Sequence, residues 1–466
     1  MPTALGTVAS GYKAAPAGGP SPFPLAAWYA AYWAADPLWS HPANGAVVTA
    51  WRDGSGNGRD MTSTVGSPLY RSAYAGLNNQ PAIEFTATGG AAMTANFPTP
   101  LAIPFSMVAV IYAPSVTGEY YWLGGTTAST WGISAGIKDG VGWMKTNDAQ
   151  GLGAVGVGRH YLEANWNGAE SGMYVDGVNC GTGRTLTGEA LKCLWTGTGL
   201  FDQHAQSGAY TYAFVGLKSG VLTATESADM LAWAQATYAT PSPPVPLSGL
   251  KGWWDAADPT SVIISTGDSV QRLVDKSRNN YSALWVNGSW PATRIPAAMN
   301  GKTAIDYHPG SFSTTLPSNI KPLTIMMACK TGPTTGNVSV IGYSYGAVST
   351  GILSWDHNNG VMRLMRANVA QIGAASSAYT ASSPAVLGLT YAANDVWTHY
   401  RNGAAVGTGT TAGTFAASTL AIGGAGVPNI QNYDGQIGEF LIYDRVLSTV
   451  ERQQVESYLK TKWGTP

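Results

Sequence analysis

The chain contains one pattern twice, and that repeat constrains the fold more than any other feature. AADP at 34–37 returns at 256–259, an offset of 222. VTAWRDGSGNG (48–58) aligns with VQRLVDKSRNN (270–280), and PAIEF (81–85) with TAIDY (303–307), both at the same offset. The ends match as well: VLTATESADMLAWAQATY (221–238) aligns with VLSTVERQQVESYLKTKW (446–463) at an offset of 225. Self-similarity at this period means two copies of one domain. With 466 residues in all, each copy is long enough for its own core.

Each copy ends in a helix. Thr223…Glu226 and Ser448…Glu451 form capping boxes, in which hydroxyl and carboxylate satisfy each other's backbone donors. Met230, Trp233 and Tyr238, and their counterparts Val455, Tyr458 and Trp463, lie near helical spacing and read as core. Upstream the pattern is β. FSMVAVIYA (105–113), LTIMMACK (323–330) and GEFLIYD (438–444) have strand length and strand residues. Asp176-Gly177 and Asn402-Gly403 supply the positive φ angles of type I′ hairpins. TPSPPVPLSG (240–249) reads as a proline-rich spacer, so the expected domains are 25–239 and 250–466. Residues 1–24, poor in large apolar side chains, read as an irregular arm.

Composition narrows the function classes. Only 11% of residues are charged, against roughly 25% in typical soluble domains. Ser, Thr, Asn, Gly and backbone must therefore cover the surface, as in adhesive or fibre-like proteins. A formal net charge of −1 gives no electrostatic footprint for nucleic acid or anionic membrane. The N-terminus lacks the apolar core of a signal peptide, and no run reaches the 18 or so residues of a membrane span. The expectation is a protein assembled inside a cell and released by lysis, without membrane insertion. Cys180, Cys193 and Cys329 read as buried thiols, with a Cys180–Cys193 hairpin disulfide as the alternative.

WWDAADP (253–259), the D-x-S-x-N turn at 275–279, the AIDY strand at 304–307 and LIYDRVLSTVERQQVESYL (441–459) together resemble the laminin-G-like, concanavalin A-like jelly roll. The first copy departs from the pattern, with Trp33 in place of Asp255 and YAFVGLKSG as its last strand. The resemblance implies an all-β protein: two tandem jelly-roll sandwiches of facing antiparallel sheets, each closing with a short α-helix. It also implies a surface suited to glycans or proteins. The low-charge composition and the irregular arm are similar in style to minor tail proteins of phages that infect actinobacteria. That implies a virion tail protein, assembled in the host cytoplasm in several copies. The arm, with Tyr12, Lys13 and Phe23 as anchors, would dock onto other tail proteins, and the sandwiches would meet host-surface glycans.

The same fold hosts glycoside hydrolases, so the acids matter. A retaining glycosidase needs two carboxylates about 5 Å apart. No E-x-D-x-x-E pattern occurs: Glu84 and Asp306 are single acids, and Glu163 and Glu170 are seven apart. The six histidines show no metal or triad spacing. The expectation is a protein that is not an enzyme, with a carbohydrate-active enzyme and a ligand-free decoration as rivals. Glycan-binding candidates are aromatics in or near loops that do not recur between copies: Trp39, Tyr121 and Trp122, then Trp285, Trp290, Tyr343, Tyr345, Trp355 and His357. The rival reading is that most of the 17 tryptophans fill the two cores.

DGSGNGRD (53–60) places Asp53, Ser55, Asn57 and Asp60 where a calcium loop holds oxygens. An EF-hand loop needs a bidentate Glu at position 12, which here is Thr64. In the second copy Asp275, Ser277 and Asn279 persist, while Gly58 becomes Asn280 and Asp60 becomes Ser282. Gly and Asn are the residues that best tolerate the left-handed conformation. The stretch therefore reads as an Asx-type turn of the fold, without cofactor, and calcium is the alternative in the first copy.

Overall fold

The computed structural model describes the chain except residues 1–26, 86–90, 118, 126–132, 146–148, 187–189, 198–209, 286–291, 308–309, 317–319, 332–336, 344–352, 359–360, 367–368, 375–381, 415–419 and 424–432. The arm anchors Tyr12, Lys13 and Phe23 lie outside the described residues. The chain divides into two compact units, Met1–Ser242 and Pro243–Pro466.

Each unit is a sandwich of two antiparallel sheets with one helix, as an all-β jelly roll requires. In the first unit one sheet is centred on Phe105–Ala113, flanked by Gly158–Trp166 and Thr211–Ser219. In the second unit Leu323–Thr331 is central, between Pro384–Tyr391 and Gly435–Tyr443. These central strands read as unbroken apolar runs because both of their faces are covered. One face meets the second sheet across the core; in the first unit Met107, Ala109 and Ile111 lie opposite Met93, Leu123 and Ile137. The other face carries the helix, α1 (Ala224–Tyr238) in the first unit and α2 (Thr449–Trp463) in the second. These are the two α-helices among the described residues, so the second sheet of each unit has no helix over it.

Both capping boxes form, from Thr223 with Glu226 and from Ser448 with Glu451. Both hairpins carry the I′ signature: φ is 50° at Asp176 and 82° at Gly177, 49° at Asn402 and 91° at Gly403. All three cysteines are buried. No helix among the described residues is long and apolar enough to cross a membrane.

Candidate functional site

The D-x-S-x-N stretch is a staple between a loop and the first strand. Asp53 Oδ1 accepts from the amides of Ala31 (3.0 Å) and Ser55 (2.9 Å), and Oδ2 from that of Arg59 (3.1 Å). Asp275 repeats this: Oδ1 accepts from Trp253 (2.9 Å) and Ser277 (2.8 Å), Oδ2 from Tyr281 (2.8 Å). Asn57 and Asn279 each give their amide to two carbonyls of the first strand's start, Trp28 and Tyr29 or Leu250 and Lys251. Gly58 and Asn280 have φ of 69° and 58°. The carboxylates are thus committed to backbone donors, which a buried acceptor needs. Asp60 accepts from the Asp53 amide at 2.8 Å.

The aromatic candidates separate. Trp355 is fully buried, with its Nε1 donating to His399 Nδ1 at 3.2 Å and the two rings stacked. Trp39 is buried too, edge-on to Tyr70. Failure to recur between copies therefore does not mark a surface ring; each core fills its own gaps. Trp285, in Ala283–Trp285, is half-buried, and its Nε1 has no hydrogen-bond partner. Trp290 and Tyr345 lie outside the described residues. Tyr121, Trp122, Tyr343 and His357 lie in strands Glu119–Gly125, Asn337–Tyr343 and Leu353–Asn358, on the helix-free sheets. No tryptophan or tyrosine whose side chain is described is fully exposed.

The outer faces of the helix-free sheets differ between units. In the first, register places Thr62, Thr94, Trp195 and Gly124 in one row. The Trp195 ring lies where a side chain on Gly124 would stand, which is why a strand glycine sits there. In the second unit the row is Ile263, Arg272, Leu284 and Ser313. Leu284 is 56% exposed, and the buried Nε of Arg272 has no hydrogen-bond partner. Sequence reading missed both Trp195 and Arg272. For Trp195, the Gly124-Gly125 pair inside a strand was the available signal.

Buried acids cluster beneath the helices rather than on those faces. Glu163 is enclosed by Tyr161, Asn165 and Ser227 of α1. In the second unit Glu439 is enclosed too, and four groups donate to it. Trp253 Nε1 (2.5 Å) and the Tyr458 hydroxyl (2.9 Å) donate to Oε1; Trp463 Nε1 (2.8 Å) and Lys462 Nζ (2.7 Å) donate to Oε2. Lys462 Nζ also reaches Asp255 Oδ2 at 2.7 Å. Lys276 spans Asp255 Oδ2 (3.0 Å) and Asp258 Oδ2 (2.7 Å). Burial, with the Asp255 charge adding to it, raises the Glu439 pKa. Burial alone would lower Lys276, but Asp255 and Asp258 outweigh it and hold the ammonium charged.

Each unit also buries a histidine. In the first, His160 places Nδ1 2.7 Å from Asp176 and Nε2 2.9 Å from the Gly156 carbonyl, so both nitrogens face acceptors. Burial opposes its charge, yet Asp176 outweighs it and raises the pKa. His399 in the second unit has only an indole donor, and burial lowers its pKa to about 4. Among the described residues no group of three or more His, Cys, Asp and Glu is arranged to hold a metal.

No family model matches the chain, and no curated protein matches it. Solved structures do. The binding domain of Paraclostridial Mosquitocidal Protein 1 is 13% identical over 47% of this chain and 55% of that one, with a TM-score of 0.34. A domain of an extracellular arabinanase from Geobacillus stearothermophilus, in complex with arabinotriose, is 14% identical over 46% of this chain and 98% of that one, at 0.33. Trypanosoma rangeli sialidase is 13% identical over 90% and 68%, at 0.34. Likenesses this loose transfer neither ligand nor activity to the chain. The strands and their register define the class by themselves: tandem jelly-roll sandwiches.

Proposed function

We propose that this is a non-enzymatic binding and display protein whose helix-free sheets meet glycans, carried as a minor component of a phage tail. The observation that carries the glycan reading is in the second unit. Arg272 lies across from the exposed Leu284 on the outer face, and its Nε has no protein partner; Trp285, next in the chain, points to the opposite face and pairs with the buried Phe312. A guanidinium beside an exposed apolar side chain suits a ligand rich in hydroxyls and apolar sugar faces. The non-enzymatic reading is supported by the engagement of the acids: Glu84 pairs with Arg71 at 2.6 Å, and Glu163 and Glu439 are enclosed. The tail assignment draws on the low-charge composition and the N-terminal segment, through which the protein would dock.

A glycan array probed with the full chain tests the binding. Arg272→Ala weakens it by about tenfold or more, the effect of losing roughly 1.4 kcal/mol. No binding at high avidity leaves a decoration without ligand. Release of reducing ends from a bound glycan moves the reading to a glycoside hydrolase. Antibody labelling of purified particles tests the tail assignment independently.

A further inference from the structure

The Lys462 amine touches two carboxyl groups, Asp255 and Glu439, inside a wall of Trp253, Tyr458 and Trp463. Its side chain is 17% exposed, that of Asp255 is 4% and that of Glu439 is 0%. An amine and a carboxyl held in contact away from water are at high effective concentration, and exclusion of water favours condensation over its reverse. We infer that Lys462 Nζ and Asp255 Cγ are joined by an intramolecular isopeptide bond, closed with Glu439 as proton relay.

The step balances with the groups present. Lys462 passes one ammonium proton to Asp255 Oδ2, which it already contacts, so that amine and acid face each other neutral. The Nζ lone pair attacks Cγ and the C–N bond forms. The nitrogen gives a second proton to Glu439 Oε2, 2.7 Å away in the ion pair. Glu439 returns it to the departing Asp255 oxygen, the C–O bond breaks and water leaves. Glu439 ends in the protonation state in which it began. A carboxyl whose pKa is raised by burial is suited to take and return a proton near neutral pH. Lys276, whose ammonium also contacts Asp255 Oδ2, holds the departing oxygen in place. The product ties the first strand of the unit, Leu250–Asp255, to the last turns of α2.

The first unit holds the same junction without these groups. Trp33 stands at the position of Asp255, Phe214 at that of Glu439 and Thr237 at that of Lys462. The inference is therefore specific to the second unit, and it does not depend on the ligand reading.

The test is the mass of the purified full chain. It is expected to lie one water below the sequence mass, and a peptide map is expected to return a branched peptide joining Asp255 to Lys462. Glu439→Gln and Lys462→Arg are each expected to restore the full mass. A wild-type chain at full mass, with the two residues in separate peptides, overturns the inference whatever the variants do. So does a water loss mapped to Lys276 or to any other residue.

Discussion

The two units fasten the same junction with opposite chemistry. Where the first strand meets the terminal helix, the first unit packs rings: Trp33 against Trp233, Phe214 against Trp233, and Trp33 Nε1 donating to the Tyr238 hydroxyl at 2.8 Å. The second unit puts Asp255, Glu439 and Lys462 there, with Tyr458 and Trp463 around them. The backbone register is shared, since Trp33 pairs with Phe214 as Asp255 pairs with Glu439. The fold thus specifies a position that must be filled and closed, not the means of closing it. Rings close it through area removed from water. Charges close it only if every one of them is paired, because an unpaired buried charge is costly.

The largest expected effect follows from that condition. Lys462→Ala removes the side chain that Asp255 and Glu439 share in the buried cluster, and should cost the second unit about 3–5 kcal/mol. Chemical unfolding of the full chain, with hydrogen exchange to assign the loss, measures it; an unchanged second unit would break the comparison.

The histidines sharpen it next, because their signs oppose. His399 has a folded pKa of about 4, below its unfolded value, so folding favours the neutral ring. The second unit should lose on the order of 3 kcal/mol as pH falls from about 6.5 to 4. His160 is raised by Asp176, so its contribution to the first unit is full below the unfolded pKa and is lost as pH rises through the folded one. Exchange protection followed against pH should show the units weakening in opposite directions. His399→Leu should flatten the acid limb of the second unit, and a limb that persists in that variant refutes the assignment.

Smaller effects test the ring-built junction. Trp33→Phe keeps an aromatic ring but strands the buried Tyr238 hydroxyl, for about 1–2 kcal/mol measured as a shift in the first unit's unfolding midpoint. The helix ends give the smallest change. Ala239 and Gly464 both cap their helices with left-handed φ, 53° and 64°. Ala239→Gly should gain about 1 kcal/mol by thermal unfolding, because only glycine adopts that region without steric cost. Gly464→Ala should lose at least as much, since its new Cβ would stand 2.9 Å from Asn300.

Local signals in the sequence were dependable. The capping boxes, the I′ turns at Asp176-Gly177 and Asn402-Gly403, and the Asx-type turn at Asp53 are each settled by a few neighbouring residues. Side-chain destinations were less legible. Trp355 looked like a loop aromatic, and its place against His399 depends on a strand 44 residues away. The ion network had a signal that only alignment of the copies reveals: Trp33, Phe214 and Thr237 change together to Asp255, Glu439 and Lys462. Read singly, each of those substitutions looks like an ordinary surface change.

By itself, then, the sequence determined the duplication, the β-rich class, the turns and the two terminal helices. All of these follow from hydrophobic period, glycine and asparagine placement, and capping, which act over a few residues. Tertiary structure alone decided which tryptophans fill the cores, which acids are enclosed, and that Lys462 lies between Asp255 and Glu439, 207 and 23 residues away in the chain. Such contacts are made by strand pairing and helix docking across long loops, and no local propensity encodes them.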